Sequence, residues 1–415
     1  MMLGGSRTAR CAGVLMLTCS AMILAALAAD RPAESSPASG VVATAPHGVE
    51  LEPWGDDPDS TWSAPQFVQA DAEGRVFLLR GDTLEVFPVS SAGRLEAPTR
   101  LQVIPPPPPP HIKGKVVFEV IASSAAMGST GGDWILQAFG RLYRFRAGKE
   151  EPVQQIPREL HGVGATESLA LWRGEVVVNI LGRQPPRGPD HQAPPPLVMI
   201  LDQDRWMPLT AAAAASGAIH EAGSNVVDQE SERSLRMAAD SAGNLWLAHR
   251  YAYRLLRIDA VRKPHAELRI GDGAVAHVQG EQGRLDKAFE NAARVTSGVE
   301  LHPSDTAPLK GLYLPREVIH GLAAGRDGRV YLLAEATGKN GALENKGLVL
   351  DRFDPVRRVL ERLQVELTIK GPVSMAAAAD GLYLAGFSGN SGRWRIGWER
   401  LNGAPWQPVQ AVMVE

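Results

Sequence analysis

The chain has 415 residues, 44% of them apolar and 21% charged, and a formal net charge of -3 at neutral pH. That much apolar content excludes a wholly disordered chain and supports a sizeable core. A mildly acidic balance with no basic tract makes a poor polyanion binder, so nucleic acid is not the expected partner.

The chain begins with Arg7 and Arg10, then an uncharged run from Cys11 to Ala29 that ends in the small residues Ala26-Leu27-Ala28. This order reads as a secretory signal peptide over residues 1–28, which places the protein in the secreted or periplasmic space. A membrane is a partner only if that segment stays uncleaved. Both cysteines, Cys11 and Cys19, lie inside it, so the exported chain has no disulfide, reactive thiol or cysteine metal site. Residues 29–48, rich in Ala, Pro and Ser, have too little apolar surface to offset the entropy of ordering and are expected to form a flexible linker.

One pattern recurs from Gln66 onward: an apolar run, a tight turn with glycine, and a second run with an aromatic or branched residue shortly after. The six copies are Ala70–Leu79, Met127–Leu136, Ala170–Val178, Ala238–Ala248, Ala323–Leu333 and Ala376–Ala385, with turn glycines Gly74, Gly132, Gly174, Gly243, Gly328 and Gly381. Glycine supplies the positive φ that tight hairpin turns need. Two more strand-like runs follow each copy. They are Thr83–Phe87 with Arg100–Ile104, Leu142–Phe145 with Pro152–Ile156, Leu197–Leu201 with Trp206–Leu209, Tyr253–Ile258 with Ala266–Ile270, Leu348–Phe353 with Val359–Leu367, and Trp394–Leu401 with Val409–Val414. Helix-period stretches are rare, Arg284–Val295 being the clearest. Four strands repeated six times predict an all-β fold, a six-bladed β-propeller of four-stranded antiparallel blades in a single domain over 49–415. The competing architecture is a β-sandwich or a pair of barrels, which have no four-strand unit.

Asp240-Ser241-Ala242-Gly243-Asn244-Leu245-Trp246-Leu247-Ala248, followed by the Arg254–Asp259 strand, resembles an NHL-type repeat. Asp327-Gly328-Arg329-Val330-Tyr331 with Leu350–Asp354 is a second, partial match. The resemblance implies an exported propeller and carries no function with it.

In a meander of strands a, b, c and d, the a–b and c–d turns share one rim, and the b–c and d–a connections share the other. The long insertions, near 105–114, 182–195, 211–232, 271–317 and 336–346, all fall in the second class. Loops carried on a rigid scaffold are where recognition concentrates. The proline-rich pieces Pro105–Pro110 and Gln184–Pro196 are expected to be stiff spacers.

No His-Glu-x-x-His, Gly-x-Ser-x-Gly or Walker pattern occurs, so no catalytic set is assigned and no metal ligands or cofactor are named. The acidic groups at Asp56, Asp57 and Asp59 and at Asp228, Glu230 and Glu232 lack the spaced pattern of a calcium loop. Strand ends on the loop-bearing rim place Arg80, Arg183, His249, Arg250, Tyr251, His320 and Glu335 near the mouth of the central channel, as candidate binding residues. The expected function is an exported binding or interaction module for an extracellular or periplasmic ligand or protein partner. The alternative is a metal-dependent lactonase or hydrolase. Exported six-bladed propellers that resemble lactonases hold an axial divalent cation with Glu, Asn and Asp, for which Asn179 and Glu335 are the nearest candidates.

Overall fold

The computed structural model describes residues 47–50, 66–81, 83–91, 94–103, 121–138, 140–157, 166–180, 198–209, 235–249, 254–269, 276–277, 313–314, 317–336, 348–364, 369–378, 381–388, 394–399, 405–409 and 412–413. The segment expected to be a signal peptide, the expected linker up to residue 46, Pro105–Pro110, Arg284–Val295 and most of the insertions lie outside these residues.

The chain enters through β1 (His47–Glu50). Sheet 1 is β2 (Gln66–Ala70), β3 (Val76–Arg80), β4 (Glu85–Val89) and β5 (Thr99–Arg100). Sheet 2 is β6 (Ala122–Met127), β7 (Asp133–Ala138), β8 (Arg141–Arg146) and β9 (Lys149–Glu151), and sheet 3 is β10 (Thr166–Trp172), β11 (Glu175–Ile180), β12 (Val198–Asp202) and β13 (Arg205–Pro208). Sheet 4 is β14 (Leu235–Ala239), β15 (Leu245–His249), β16 (Arg254–Ile258) and β17 (Pro264–Arg269). A small two-stranded ladder, β18 (Ala276–His277) with β19 (Tyr313–Leu314), follows it. Sheet 5 is β20 (Glu317–Ala324), β21 (Val330–Ala336), β22 (Leu348–Asp354) and β23 (Val359–Gln364). Sheet 6 is β24 (Ile369–Ala377), β25 (Leu382–Ser388) and β26 (Trp394–Glu399), and the chain ends with β27 (Gln407–Pro408) and β28 (Val412–Met413).

Each sheet is an antiparallel meander in chain order. The first strands lie against one another in a cycle: β2 against β6, β6 against β10, β10 against β14, β14 against β20, β20 against β24, and β24 back against β2. The sheets therefore close on themselves as an all-β propeller of four-stranded antiparallel blades.

Its core is divided among the seams between neighbouring sheets, because side chains alternate across a strand. Leu245 and Leu247 of β15 pack with Val177, Val198 and Ile200 of sheet 3, whereas Trp246 and Ala248 pack with Val330, Leu332 and Phe353 of sheet 5. On β21, Tyr331 and Leu333 face the next seam, with Met375 and Leu384 of sheet 6. Val76 and Leu78 of β3 meet Tyr383 and Ala385 of β25, which joins the first sheet to the last. A second strand buried on both faces has no use for an alternating polar residue, and this explains runs such as Val76-Phe77-Leu78-Leu79 and Leu245-Trp246-Leu247-Ala248.

The last sheet corrects one expectation. Its outermost strand is β1, which pairs antiparallel with β26, so the ring is fastened by its N-terminal strand, which starts two residues inside the expected linker. The run expected to supply that strand, Val409–Val414, instead carries β28, which pairs with β17, and β27 just before it pairs with β23. Edge strands tolerate proline, and β27 carries Pro408 at the outer edge. Trp406 packs against the seam of sheets 5 and 6, with the Arg352 guanidinium 4.2 Å from its ring centroid, and Val409 covers the seam of sheets 4 and 5.

A second correction concerns Pro152–Ile156. The strand there is Lys149–Glu151, and beyond it the Gln155 amide takes over the pairing, with Leu142 N donating to Gln155 Oε1 and Gln155 Nε2 to Leu142 O, both at 2.9 Å. The edge groups of β8 are satisfied by a side chain where Pro152 has no N–H to give. Of the six turn glycines, Gly74, Gly174, Gly243 and Gly328 have positive φ, whereas Gly132 does not. In that turn glycine serves close approach, since a Cβ on Gly131 would lie 2.1 Å from the Phe77 ring of the preceding sheet.

Candidate functional site: the loop-bearing rim

The two rims of the ring are built differently. On one, the a–b turns (71–75, 128–132, 173–174, 240–244, 325–329 and 378–381) and the c–d turns of sheets 1 to 5 (90–98, 147–148, 203–204, 259–263 and 355–358) are short. Within them an aspartate recurs. Asp240 Oδ1 accepts the Asn244 N–H at 2.8 Å, and Oδ2 accepts Asn244 Nδ2 at 2.8 Å and Trp246 Nε1 at 2.9 Å. Asp71 accepts the backbone N–H groups of Glu73 and Arg75, and Asp327 accepts Arg329 N and the Tyr331 hydroxyl. Burial, and then the adjacent Asp327, raise the Tyr331 hydroxyl above its ordinary range. In the two motif copies with Asp240 and Asp327 the aspartate thus ties its own turn to the aromatic residue of the second strand, whereas Asp71 ties only its turn.

The other rim carries every long connection: β5 to β6, β11 to β12, β13 to β14, β17 to β20 and β21 to β22. The insertions called from sequence leave from this side. Here the second strand of each sheet ends beside the start of the first, as in the pairs Gln66–Arg80, Leu235–His249 and Val318–Glu335. Arg80 is the last residue of β3 and half-buried, and His249 is the last residue of β15 and buried. His320 sits in the register shift of β20, where its carbonyl accepts Arg236 Nε of the preceding sheet at 3.1 Å. Glu335 lies on β21, opposite Val318 and Leu348. Arg183, Arg250 and Tyr251 lie outside the described residues. Arg80, His249, His320 and Glu335 therefore share one rim, each carried by a different strand.

Sequence reasoning named Asn179 but missed the other buried polar side chains at this end: Gln66, Ser124, Gln137 and Ser168. Asn179, and Ser374 on β24, bind the neighbouring sheet. Asn179 Oδ1 accepts the buried Leu235 N–H at 3.1 Å, and Ser374 Oγ accepts Val68 N at 2.9 Å while donating to Val68 O at 3.1 Å. The available signal was a polar residue interrupting an apolar second strand, as in Val176-Val177-Val178-Asn179. Asn179, a nearest candidate for an axial cation under the hydrolase alternative, is wholly buried and accepts the N–H of the first residue of β14, which makes it a clamp on that seam. Among the described residues, no group of three or more His, Cys, Asp or Glu is placed to hold a metal ion. Also among them, no helix is long and apolar enough to cross a membrane.

No protein-family profile matches the chain, and no curated protein sequence is similar to it. Among solved structures, the chain is similar to regucalcin, a calcium-binding protein from Agrobacterium tumefaciens, at 10% identity and a TM-score of 0.43, covering 88% of this chain and 95% of that one. It is also similar to a member of the duf4221 family from Bacteroides vulgatus, at 8% identity and a TM-score of 0.44, covering 85% and 98%. Virginiamycin B lyase from Staphylococcus aureus is a third, at 11% identity and a TM-score of 0.38, covering 86% and 98%. At this distance the likenesses carry nothing about ligand or activity, and the fold rests on the sheets described above.

Proposed function

We propose that the chain is an exported, NHL-like six-bladed propeller that works as a binding module, recognising an extracellular or periplasmic ligand or protein through its loop-bearing rim. The observation that carries this reading is the separation of the rims: all long connections leave from the side where Arg80, His249, His320 and Glu335 are placed on rigid strands. A fixed scaffold presenting variable loops suits recognition, and arginine and histidine offer directional donors there. Arg183, Arg250 and Tyr251 belong to the same proposed surface by chain position. The hydrolase alternative loses support with Asn179, whose side chain is taken up between two sheets.

The test removes residues 278–312, joining the paired His277 and Tyr313 through a short Asn-Gly turn. Full-length and shortened proteins are compared on arrays of glycans and peptides, with circular dichroism as the control for folding. Array signals that vanish while the β spectrum is unchanged support the proposal. Unchanged signals, in the deletion and in Arg80→Ala and His320→Ala alike, overturn it. Metal analysis of the purified protein separates the alternative, which requires a stoichiometric divalent ion.

A further inference from the structure

The short-turn rim carries a pair of side chains that the fold does not use. Among the described residues, Val261 and Val356 are the most exposed large apolar side chains, at 81% and 91% of full exposure. Both sit at the c–d turn, in adjacent sheets 4 and 5, and in the same local sequence: Asp259-Ala260-Val261-Arg262-Lys263 and Asp354-Pro355-Val356-Arg357-Arg358. The c–d turns of sheets 1, 2 and 3 have no such sequence. The valines, repeated in register, are not scattered surface residues.

The turns explain how the pair is presented. Asp259 Oδ1 accepts the N–H groups of Val261 and Lys263, at 3.0 and 2.8 Å, and its Oδ2 lies 3.0 Å from His265 Nε2. Asp354 Oδ1 accepts the N–H groups of Val356 and Arg357, at 3.1 and 2.9 Å, with Oδ2 3.6 Å from Arg329 Nε. Both carboxylates are thus drawn into their own turns and show 23% and 17% side-chain exposure, while Arg357 shows 76% and Lys263 and Arg358 are exposed. The acids fold the turn and the cations are exposed, Arg357 with its Nε 4.0 Å from Asp354 Oδ2. One arginine of each turn, Arg262 at its fourth position and Arg358 at its fifth, has positive φ, 66° and 54°. Glycine or asparagine takes that conformation more readily, so arginine is placed there against local preference. Arg262 also pairs with Asp202 at 2.7 Å.

We propose that the turns 259–263 and 354–358 form a docking edge for an anionic lipid surface, inserting Val261 and Val356 among the headgroups while Lys263, Arg357 and Arg358 meet the lipid charge. The chemistry is that of interfacial anchors, a small apolar insertion backed by basic residues. It also sets an orientation, because these turns lie on the rim opposite the long loops. The proposal is independent of what the loop-bearing rim binds.

The test is flotation of the chain from Asp30 onward, which keeps every strand, with phosphatidylcholine vesicles that contain or lack phosphatidylglycerol. Wild type binds the anionic vesicles and releases at high salt. Lys263→Gln with Arg357→Gln lowers partitioning about 25-fold, from about fivefold for each cation near an anionic surface. Val261→Ser with Val356→Ser lowers it at least about tenfold. Both pairs change exposed turn residues, and circular dichroism checks that the sheets persist. Failure of wild type to float, equal binding to neutral vesicles, or undiminished binding by both variants overturns the proposal. So does capture of an acidic peptide by the same turns without vesicle binding.

Discussion

Replacing Asp240 by alanine tests whether the repeat motif is a structural tie. The carboxylate accepts three hydrogen bonds, two from Asn244 and one from the Trp246 indole. Trp246 is 1% exposed, packed edge-on to Phe353 with ring centroids 6.3 Å apart, and flanked by Arg257. Without the carboxylate its N–H is left buried with no acceptor, which costs about 1–3 kcal/mol. Losing the turn's own side-chain bond adds about 0.5–1.5 kcal/mol. Asp240→Ala is therefore expected to destabilise by roughly 2–4 kcal/mol. The assay is urea unfolding at neutral pH, read as the shift of the midpoint, in the wild-type and Trp246→Phe backgrounds. Phenylalanine removes the donor, so Asp240→Ala should cost at least about 1 kcal/mol less there. A cost under about 0.5 kcal/mol, or the same cost in both backgrounds, would refute the tie.

Asn179→Leu leaves the buried Leu235 N–H without its acceptor and is expected to cost about 1–3 kcal/mol in the same assay, an effect absent if the clamp is idle. Trp406→Ala should speed amide exchange along β23 and β17, where β27 and β28 pair, and leave the inner strands protected; uniform protection would show that the C-terminal segment is not held by that ring. Two acids give a pH signature. The His265 hydrogen bond, then backbone N–H groups, hold the Asp259 carboxyl below its ordinary value, and the Arg357 N–H, with Val356 N–H and Arg329, does the same for Asp354. Unfolded chains then bind more protons in that window. The stability these groups contribute is present above about pH 4 and lost as pH falls through their folded-state values. Asp259→Asn with Asp354→Asn should flatten the slope of stability against pH below about 4, and an unchanged slope would contradict the assignment. Asp133 runs the other way: burial raises its carboxyl despite Arg144, so its contribution is present at low pH and lost as pH rises, and Asp133→Asn should not destabilise at neutral pH.

The second strands and their turns were legible in sequence because they obey strong local rules: a double-sided apolar run, a glycine turn, and an aspartate set before an aromatic residue. The outer strands were less so. The edge of a sheet makes few side-chain demands, so Val409–Val414 and His47–Glu50 were equally fit for the last position of sheet 6. The choice depends on how a ring closes, which no local pattern records. The Gln155 amide pairing with Leu142 escaped for the same reason, since only tertiary placement brings a side chain into a ladder position. At the candidate site the rim assignment was legible from chain direction alone. Asn179 was not, because a buried asparagine on an inner strand looks alike whether it faces the axis or a neighbouring sheet.

The bonds between blades on the short-turn rim give a physical reason why the insertions avoid it. Ala72 N donates to Ser129 O, Arg144 to Gly174 O, Trp172 Nε1 to Gly243 O, and Arg173 to Ala260 O, while Arg262 pairs with Asp202 and Arg326 donates to Glu73 O. Each holds a turn residue of one sheet to a turn or strand residue of another, so lengthening these turns would break a contact with another sheet as well as the turn's own hairpin. Away from that rim, ties from the strand residues Asn179, Arg236 and Ser374 hold the seams whatever the length of the loops above them, and Ala122 N donates to Gly81 O in the short connection after β3. Loop growth there costs little, about 0.6 kcal/mol per doubling of length. The ring thus fixes one rim to keep its shape and leaves the other free to vary, which is the arrangement a recognition surface on a rigid support requires.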